Sequence, residues 1–314
     1  MRLVKSVLAL LPQALLISLG VSLIAFGILW LSPGDPVLSL LGESATLEEI
    51  SALRSELGLD GSILSQYWRF LGGVFRGDFG ESLQTHSPVL ELLVTRLPST
   101  ISLVGFANGL AILLAVPIGL FVGVSSNPLV DNMFRVIAAV VLAVPVFVTA
   151  IMLLLFFSVY LEWLPVAGFE PGFPGNIRTL LLPAISVALP TSMVLARVLQ
   201  AAVRDTRKEE FFETAVIWGL PRRTIYMSYL LKPSFAPTIG LLAYIVGASL
   251  AGGVIIETVF NLPGVGSFLV RSMLARDYPV VQGVLFFFGI VIVILSFVFD
   301  VIAAWIDPRI QRSK

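Results

Sequence analysis

The sequence predicts an all-α, polytopic membrane protein with six transmembrane helices, a long first external loop and a cytoplasmic helix-turn-helix. Three observations carry that prediction. Hydrophobic residues fill 57% of 314 positions and charged residues only 13%, about half of the roughly 25% charged residues in a soluble domain. Six stretches hold no Asp, Glu, Lys or Arg: Ser6 to Gly34, Leu97 to Val130, Val136 to Leu161, Thr179 to Ala196, Thr238 to Ile256 and Tyr278 to Phe299. Each is close to or longer than the roughly 20 residues that cross a bilayer as a helix. Between the fourth and fifth stretches lies the third signal, Arg204 to Pro237, the only long run of mixed charge after residue 98.

Composition also removes several chemistries. Equal numbers of acidic and basic residues give a formal net charge of zero, which offers nothing to a nucleic-acid partner. Cysteine is absent and His86 is the sole histidine, so disulfides, thiolate metal sites and most zinc or triad chemistry are ruled out.

Taken in order, the first apolar run is long and lacks a small-residue cleavage site, so it reads as a retained span rather than a signal peptide. Six spans place both termini on one side. Thirteen of the 20 Lys and Arg residues fall on that side and seven opposite, four of these in the long first loop. The positive-inside rule then puts both termini and the 204–237 segment in the cytoplasm.

The external loop, 33–98, is too long for a simple connector. Thr46 and Glu49 have capping-box spacing ahead of Ile50, Leu53 and Leu57, with Gly58 as a stop. A second helix is expected at Gln66 to Phe75, with Tyr67, Trp68, Phe70, Leu71 and Val74 as an interfacial aromatic belt. The loop either caps the outer mouth or contacts a delivering receptor.

In the second span Gly105 and Gly109, then Gly119 and Gly123, have the small-xxx-small spacing that lets helices approach closely. Pro117, Pro145, Pro183 and Pro190 interrupt spans, which is tolerable where protein or a watery cavity faces the freed carbonyl. Ionisable groups at bilayer depth cost several kcal/mol and usually point inward. Glu257 closes the fifth span, Asp300 lies inside the sixth, and Arg197 is near the cytoplasmic end of the fourth. Glu257 and Asp300 are expected to face protein, either touching cargo or locking helices together.

In the 204–237 segment, Thr206 is a plausible N-cap with Glu209 at capping-box spacing, and Gly219 is the expected stop. Pro221 fits the first position of a second helix, with Ile225, Tyr229 and Leu230 on its apolar face. The outcome is a knob on the water side of the membrane, either a solvated loop or a surface offered to another protein.

Here the residues carry a resemblance. Glu213-Thr214-Ala215, then three residues, then Gly219 resembles the E-A-A…G signature of the permease subunits of bacterial ATP-binding-cassette importers, with Thr214 in place of the middle alanine. The later prolines Pro233 and Pro237 are similar to the dipeptide, oligopeptide and nickel permease branch. So are Pro33-Gly34-Asp35-Pro36, Leu57-Gly58-Leu59-Asp60 and Arg76-Gly77-Asp78-Phe79-Gly80. Further on come Glu257-Thr258-Val259-Phe260, Leu262-Pro263-Gly264-Val265-Gly266, Ala275 to Gly283, and the ending Asp307-Pro308-Arg309. The resemblance covers nearly the whole chain.

It implies a single permease domain, 1–314, in the bacterial inner membrane, with 204–237 as the ATPase-coupling loop. Glu213 would cap or pair across the interface, Ala215 would permit close approach, and Gly219 would supply the turn. The implied partners are a second, homologous permease, two ATP-binding-cassette ATPase subunits and an extracytoplasmic solute-binding protein, within membrane lipid. The implied cargo is short peptides, with nickel or metallophore chelates as the alternative.

The chain has no G-x-x-x-x-G-K-[ST], so it cannot cradle nucleotide phosphates in a P-loop. It is therefore expected to be no enzyme and to hold no cofactor, ATP and magnesium being bound by the separate ATPases. Two other classes fit the residues less well. An intramembrane enzyme would use Asp300 or Ser249, yet no second intramembrane aspartate is present. A self-contained ion-coupled carrier would show several mid-membrane carboxylates or internal repeats, which the sequence lacks.

Overall fold

The computed structural model describes residues 16–27, 37, 45–56, 60–172 and 175–306. The described residues form helices α1 (Leu16–Gly27), α2 (Leu47–Glu56), α3 (Ile63–Phe75), α4 (Val89–Val124), α5 (Pro128–Ala143) and α6 (Val146–Leu153). There follow α7 (Gly175–Thr206), α8 (Glu210–Ile217), the single turn α9 (Arg222–Thr224), α10 (Lys232–Val259), α11 (Val265–Leu274) and α12 (Tyr278–Ile306). Two π-helical segments extend these, Leu154–Tyr160 after α6 and Ile225–Leu231 between α9 and α10. No strand forms among the described residues; Glu81 and Pro88 make one isolated bridge.

Four helices are long and apolar enough to cross a membrane: Val89–Val124, Gly175–Thr206, Gly240–Val259 within α10, and Tyr278–Val298 within α12. A fifth is gained if Pro128–Ala143 and Val146–Tyr160 count together. Six predicted spans are therefore four or five among the described residues. Of the first predicted run only the short α1 is described. The third, Val136 to Leu161, is not one straight rod, because its two helices meet at 89°. Pro145 is the cause: a residue before proline is pushed out of the helical region, and Val144 is extended at φ −82°, ψ 122°.

The second span also departs from its expected start, since α4 begins at Val89, inside the predicted loop 33–98. Charge marks where lipid ends, whereas a helix continues for as long as its backbone bonds are met.

The chain forms two compact units, one of residues 1–98 and 263–294, the other of 99–262 and 295–314. In the first, the Thr46 capping box forms as expected: the Thr46 N–H donates to Glu49 Oε2 at 2.8 Å and the Glu49 N–H to Thr46 Oγ1 at 3.3 Å. The positions Leu57 and Gly58 lie outside the described residues. Helix α3 starts at Ile63, three residues earlier than expected, because the Ser62 side chain accepts from the Ser65 N–H. Its aromatics are only partly an interfacial belt. Trp68 is exposed, but Tyr67 packs edge-on against Phe26 at 5.5 Å between ring centroids and Phe70 meets Phe286 at 6.0 Å. Aromatic edges gain more from a ring partner than from the interface when a helix is at hand.

The same unit holds a buried aspartate staple. Asp277 accepts from Ser82 Oγ at 2.5 Å and from the N–H groups of Leu83 at 3.1 Å and Gln84 at 3.4 Å. A carboxylate that collects several donors is stable when buried, and this one ties the turn before α4 to the start of α12. Nearby, the Arg96 guanidinium lies 3.9 Å above the Phe268 ring, a cation–π contact.

The second unit is built on α7. Its buried Leu180 and Leu182 face one apolar cluster, and Ala188, Leu195 and Ala196 another, shared with α4, α5 and α10. Pro183 and Pro190 lie inside the helix, and hydroxyls bond back to its carbonyls around them: Ser186 to Leu182 at 2.8 Å and Thr191 to Val187 at 2.8 Å. Such back-bonding is how Ser and Thr hydroxyls are satisfied inside a helix. The glycine pairs divide. Gly119 and Gly123 sit directly on α7, whereas nothing stands within 4 Å of a methyl group added at Gly105 or Gly109.

Candidate functional site

The knob is α8 with the chain on either side of it. Thr206 does not start it. This residue is buried as the last of α7, because Val203, one turn back, is drawn into the cluster with Leu199 and Leu230 and carries the helix onward. The Ser234 hydroxyl, on α10, donates to Thr206 Oγ1 at 3.1 Å, which closes the knob at its base. Glu209 takes the N-cap position of α8 instead, with no side-chain bond to it. Glu210 and Glu213 then occupy the first turn, where acids suit the positive end of the helix dipole.

Gly219 ends α8 as expected. Its φ is +66°, a left-handed conformation that suits a residue without a Cβ. Its N–H donates to the Val216 carbonyl at 3.0 Å, and the Leu220 N–H to the Ala215 carbonyl at 3.4 Å, the two bonds of a Schellman cap. Pro221 stands one position ahead of its expected place, as the N-cap of α9. The predicted second helix is not a separate element either. From Arg222 the chain stays helical through Ile225–Leu231 into α10, because Ile225 and Leu230 are buried and no glycine intervenes.

The stem is held by contacts that sequence reasoning missed. Asp131, in the first turn of α5, accepts from Arg204 Nη2 at 2.9 Å and Gln200 Nε2 at 2.6 Å through Oδ1, and from Arg135 through Oδ2 at 2.5 Å. Arg207 donates to the Val124 carbonyl at 2.7 Å, satisfying an end carbonyl of α4. The Asp131–Arg135 spacing of four was legible as a helical ion pair. Which arginine of the charged run would reach Asp131 depends on how α5 and α7 cross.

The three knob residues singled out from sequence therefore stand on one helical turn and its cap. Ala215 is buried, Glu213 is exposed, and Gly219 turns the chain. Beside them Ile217 is 81% and Trp218 76% exposed. A tip with two large apolar side chains in the open and acids on the first turn has the composition of a docking surface.

The intramembrane positions do not gather into one site. Glu257 is 1% exposed and accepts from Thr100 Oγ1 at 2.6 Å, so it lies within protein. Arg197 is exposed on α7. Asp300 falls within α12, and its side chain lies outside the described residues. Ser249 donates to the Ile245 carbonyl of its own helix at 2.8 Å, with the Asn108 amide oxygen 3.5 Å away. Neither neighbour is a base that would make it a nucleophile. It lines a cavity of about 250 Å³ with Val146, Pro190, Thr191, Tyr244 and Gly252.

Long apolar helices, one of them with two internal prolines, and a short helix closed by a Schellman turn are the parts of a membrane-embedded protein. The fold is similar to that of the MetNI methionine ABC transporter in an inward-facing form. The TM-score is 0.58 at 14% identity, over 69% of this chain and 97% of that one. Residues 115–312 match the family of the binding-protein-dependent transport system inner membrane component, and residues 3–104 match its N-terminal companion. The chain belongs to this family, a transport permease component in a bacterial membrane.

Among its relatives, a Brucella abortus protein named as a peptide transport system permease is 33% identical over 95% of this chain and 96% of its own length. An Escherichia coli protein named as the D,D-dipeptide transport system permease DdpB is 33% identical over 95% of each. A Sinorhizobium fredii protein named as a peptide ABC transporter permease is 32% identical over 93% and 94%.

Proposed function

We propose that the chain is one of two similar permease subunits of an ATP-driven importer, lining a pathway for short peptides that an external solute-binding protein delivers. The observation that carries the cargo is the run of relatives named for peptide transport, which align with this chain from end to end at about one residue in three. The charge distribution supports a six-span topology with both termini in the cytoplasm.

In this reading the knob docks on an ATPase subunit, and ATP with magnesium is bound there and not in this chain. The exposed Ile217 and Trp218 and the acids of α8 support the reading. The Thr206–Ser234 bond ties α7 to α10 at the base of the knob, and the Asp131 clamp fastens α7 to α5. Closure of the ATPases would then move α7 and α10 together, exchanging outward and inward access.

The test is affinity purification of the tagged chain from native membranes, with mass spectrometry of what accompanies it. A second permease, P-loop ATPases and a binding protein carrying peptide are expected. Recovery of the chain alone, active in liposomes without ATP, would overturn the proposal.

A further inference from the structure

A groove of about 410 Å³ opens where α4 ends beside the helical arm that leads from the knob into α10. Leu120, Phe121 and Val124 form one wall, and Tyr226, Met227 and Leu231 the other. Phe121 is 67% and Met227 58% exposed, so the groove is open to its surroundings along these side chains. Its size falls within the roughly 300–1,000 Å³ of small-molecule sites. Apart from the Tyr226 phenol and the Ser125 hydroxyl at the α4 end, its lining side chains are apolar.

Charge stands at one end of it. Arg222 and Arg223 are exposed one helical turn before Tyr226 and Met227, a spacing that puts them on the same side of the arm. Among the described residues neither arginine is in an ion pair. A hydrocarbon slot next to two free guanidinium groups is complementary to an amphiphile with an apolar chain and an anionic head. A soluble anion would leave the slot in water, and a zwitterionic lipid would leave the arginines without net countercharge.

We propose that this groove binds an anionic phospholipid, with an acyl chain between α4 and the arm and the phosphate on Arg222 and Arg223. Guanidinium is suited to that role, since its fork matches phosphate in two parallel bonds. Basic pockets between helices on the cytoplasmic side are where such head groups are held. The inference rests on the cytoplasmic placement of the knob. A lipid seated there braces the arm against the end of α4, next to the segment that the ATPase would move.

The experiment uses the assembled transporter in lipid nanodiscs that contain phosphatidylglycerol with a diazirine in its acyl chain, and in parallel the equivalent phosphatidylcholine. Crosslinked peptides are mapped, and the ATPase subunits are quantified in the same samples. Crosslinks from phosphatidylglycerol are expected to concentrate in the peptides of 120–125 and 226–231. They should exceed those from phosphatidylcholine and fall by about fivefold for each arginine replaced in Arg222→Gln and Arg223→Gln. Met227→Trp fills the groove without touching its charge and should remove them as well.

Equal yields from the two lipids, or yields unchanged in the double arginine variant, overturn the site. So do crosslinks lost with the arginines but retained in Met227→Trp, which would reduce the effect to surface attraction. Loss of ATPase subunits from the arginine variants with the lipid crosslinks intact would assign the arginines to the protein partner and overturn it too. Absence of ATPases from the parental preparation speaks against the proposed function instead and leaves the lipid ratio readable.

Discussion

The two glycine pairs of α4 have the same spacing and opposite surroundings, which makes them a direct test of the packing. A methyl group added at Gly123 would lie 2.7 Å from Val203 Cγ1 and 2.8 Å from Val203 Cβ; one at Gly119 would lie 2.9 Å from the Ala196 carbonyl oxygen. Neither neighbour can retreat alone. Val203 is fully buried and β-branched, so its χ1 is held in one well, and the Ala196 carbonyl is part of the α7 backbone. The helices must separate, and overpacking of this kind costs about 1–3 kcal/mol, reduced by the roughly 0.5–1 kcal/mol that alanine gains over glycine inside a helix. Gly119→Ala and Gly123→Ala should therefore destabilise by up to about 2.5 kcal/mol, the balance of those two ranges. Gly105→Ala and Gly109→Ala, with open space before them, should be neutral or stabilise by about 0.5–1 kcal/mol. Unfolding of the purified chain in mixed micelles with increasing dodecyl sulfate, followed by helical circular dichroism, measures all four. Equal effects at the two pairs would refute the packing argument.

Other outcomes follow from the same structure. Gly219→Pro forces φ to about −65° where the chain has +66° and removes the donor to Val216, so transport should be abolished while the protein stays inserted. Normal import by this variant with its partner subunits present would disprove the coupling role of the knob. Glu213→Lys should cost no more than about 1 kcal/mol of stability, from the charge reversed at the helix start, because the residue is exposed, and should lower both transport and the recovery of ATPase subunits on purification. Thr100→Val removes a donor from the buried Glu257 and should cost about 1.5–3 kcal/mol; an unfolding midpoint equal to the parent's would show that the bond contributes nothing. At Glu49, the Thr46 N–H first and the Thr46 hydroxyl second hold the carboxyl below its ordinary value. The folded state then favours the ionised form, so the cap is fully present above the unfolded pKa of about 4.3 and is lost as pH falls through the lower folded value. The protection of the amides in 47–56, their exchange rate relative to the intrinsic rate at each pH, should hold down to about pH 5 and fall below about pH 4. In Glu49→Gln the pH dependence should vanish.

The apolar runs, the capping box at Thr46 and the glycine stop at Gly219 were all legible in the sequence, because each depends on neighbours within a few residues. Lipid requires long uncharged stretches, a capping box needs two side chains three apart, and a left-handed turn needs a residue without a Cβ. The family was legible for a different reason: its short motifs keep their order and spacing along the chain. What failed were inferences in which local chemistry competed with packing. Thr206 has the composition of an N-cap, yet Val203 is buried and draws α7 one turn further. Pro145 looked like a kink in one span and is the corner between two helices at 89°.

The remaining features were decided by tertiary structure alone. Nothing in the spacing of Gly105, Gly109, Gly119 and Gly123 says which pair meets another helix, since that depends on where α7 crosses α4. The Asp131 clamp joins residues 69 and 73 positions apart, and the Asp277 staple spans nearly two hundred. The sequence by itself determined that this chain lives in a membrane, that α8 stops at Gly219, and to which family it belongs. Only the fold decided how the knob is fastened to its helices, because a contact between distant segments is fixed by the crossing of whole helices and not by any residue's neighbours in the chain.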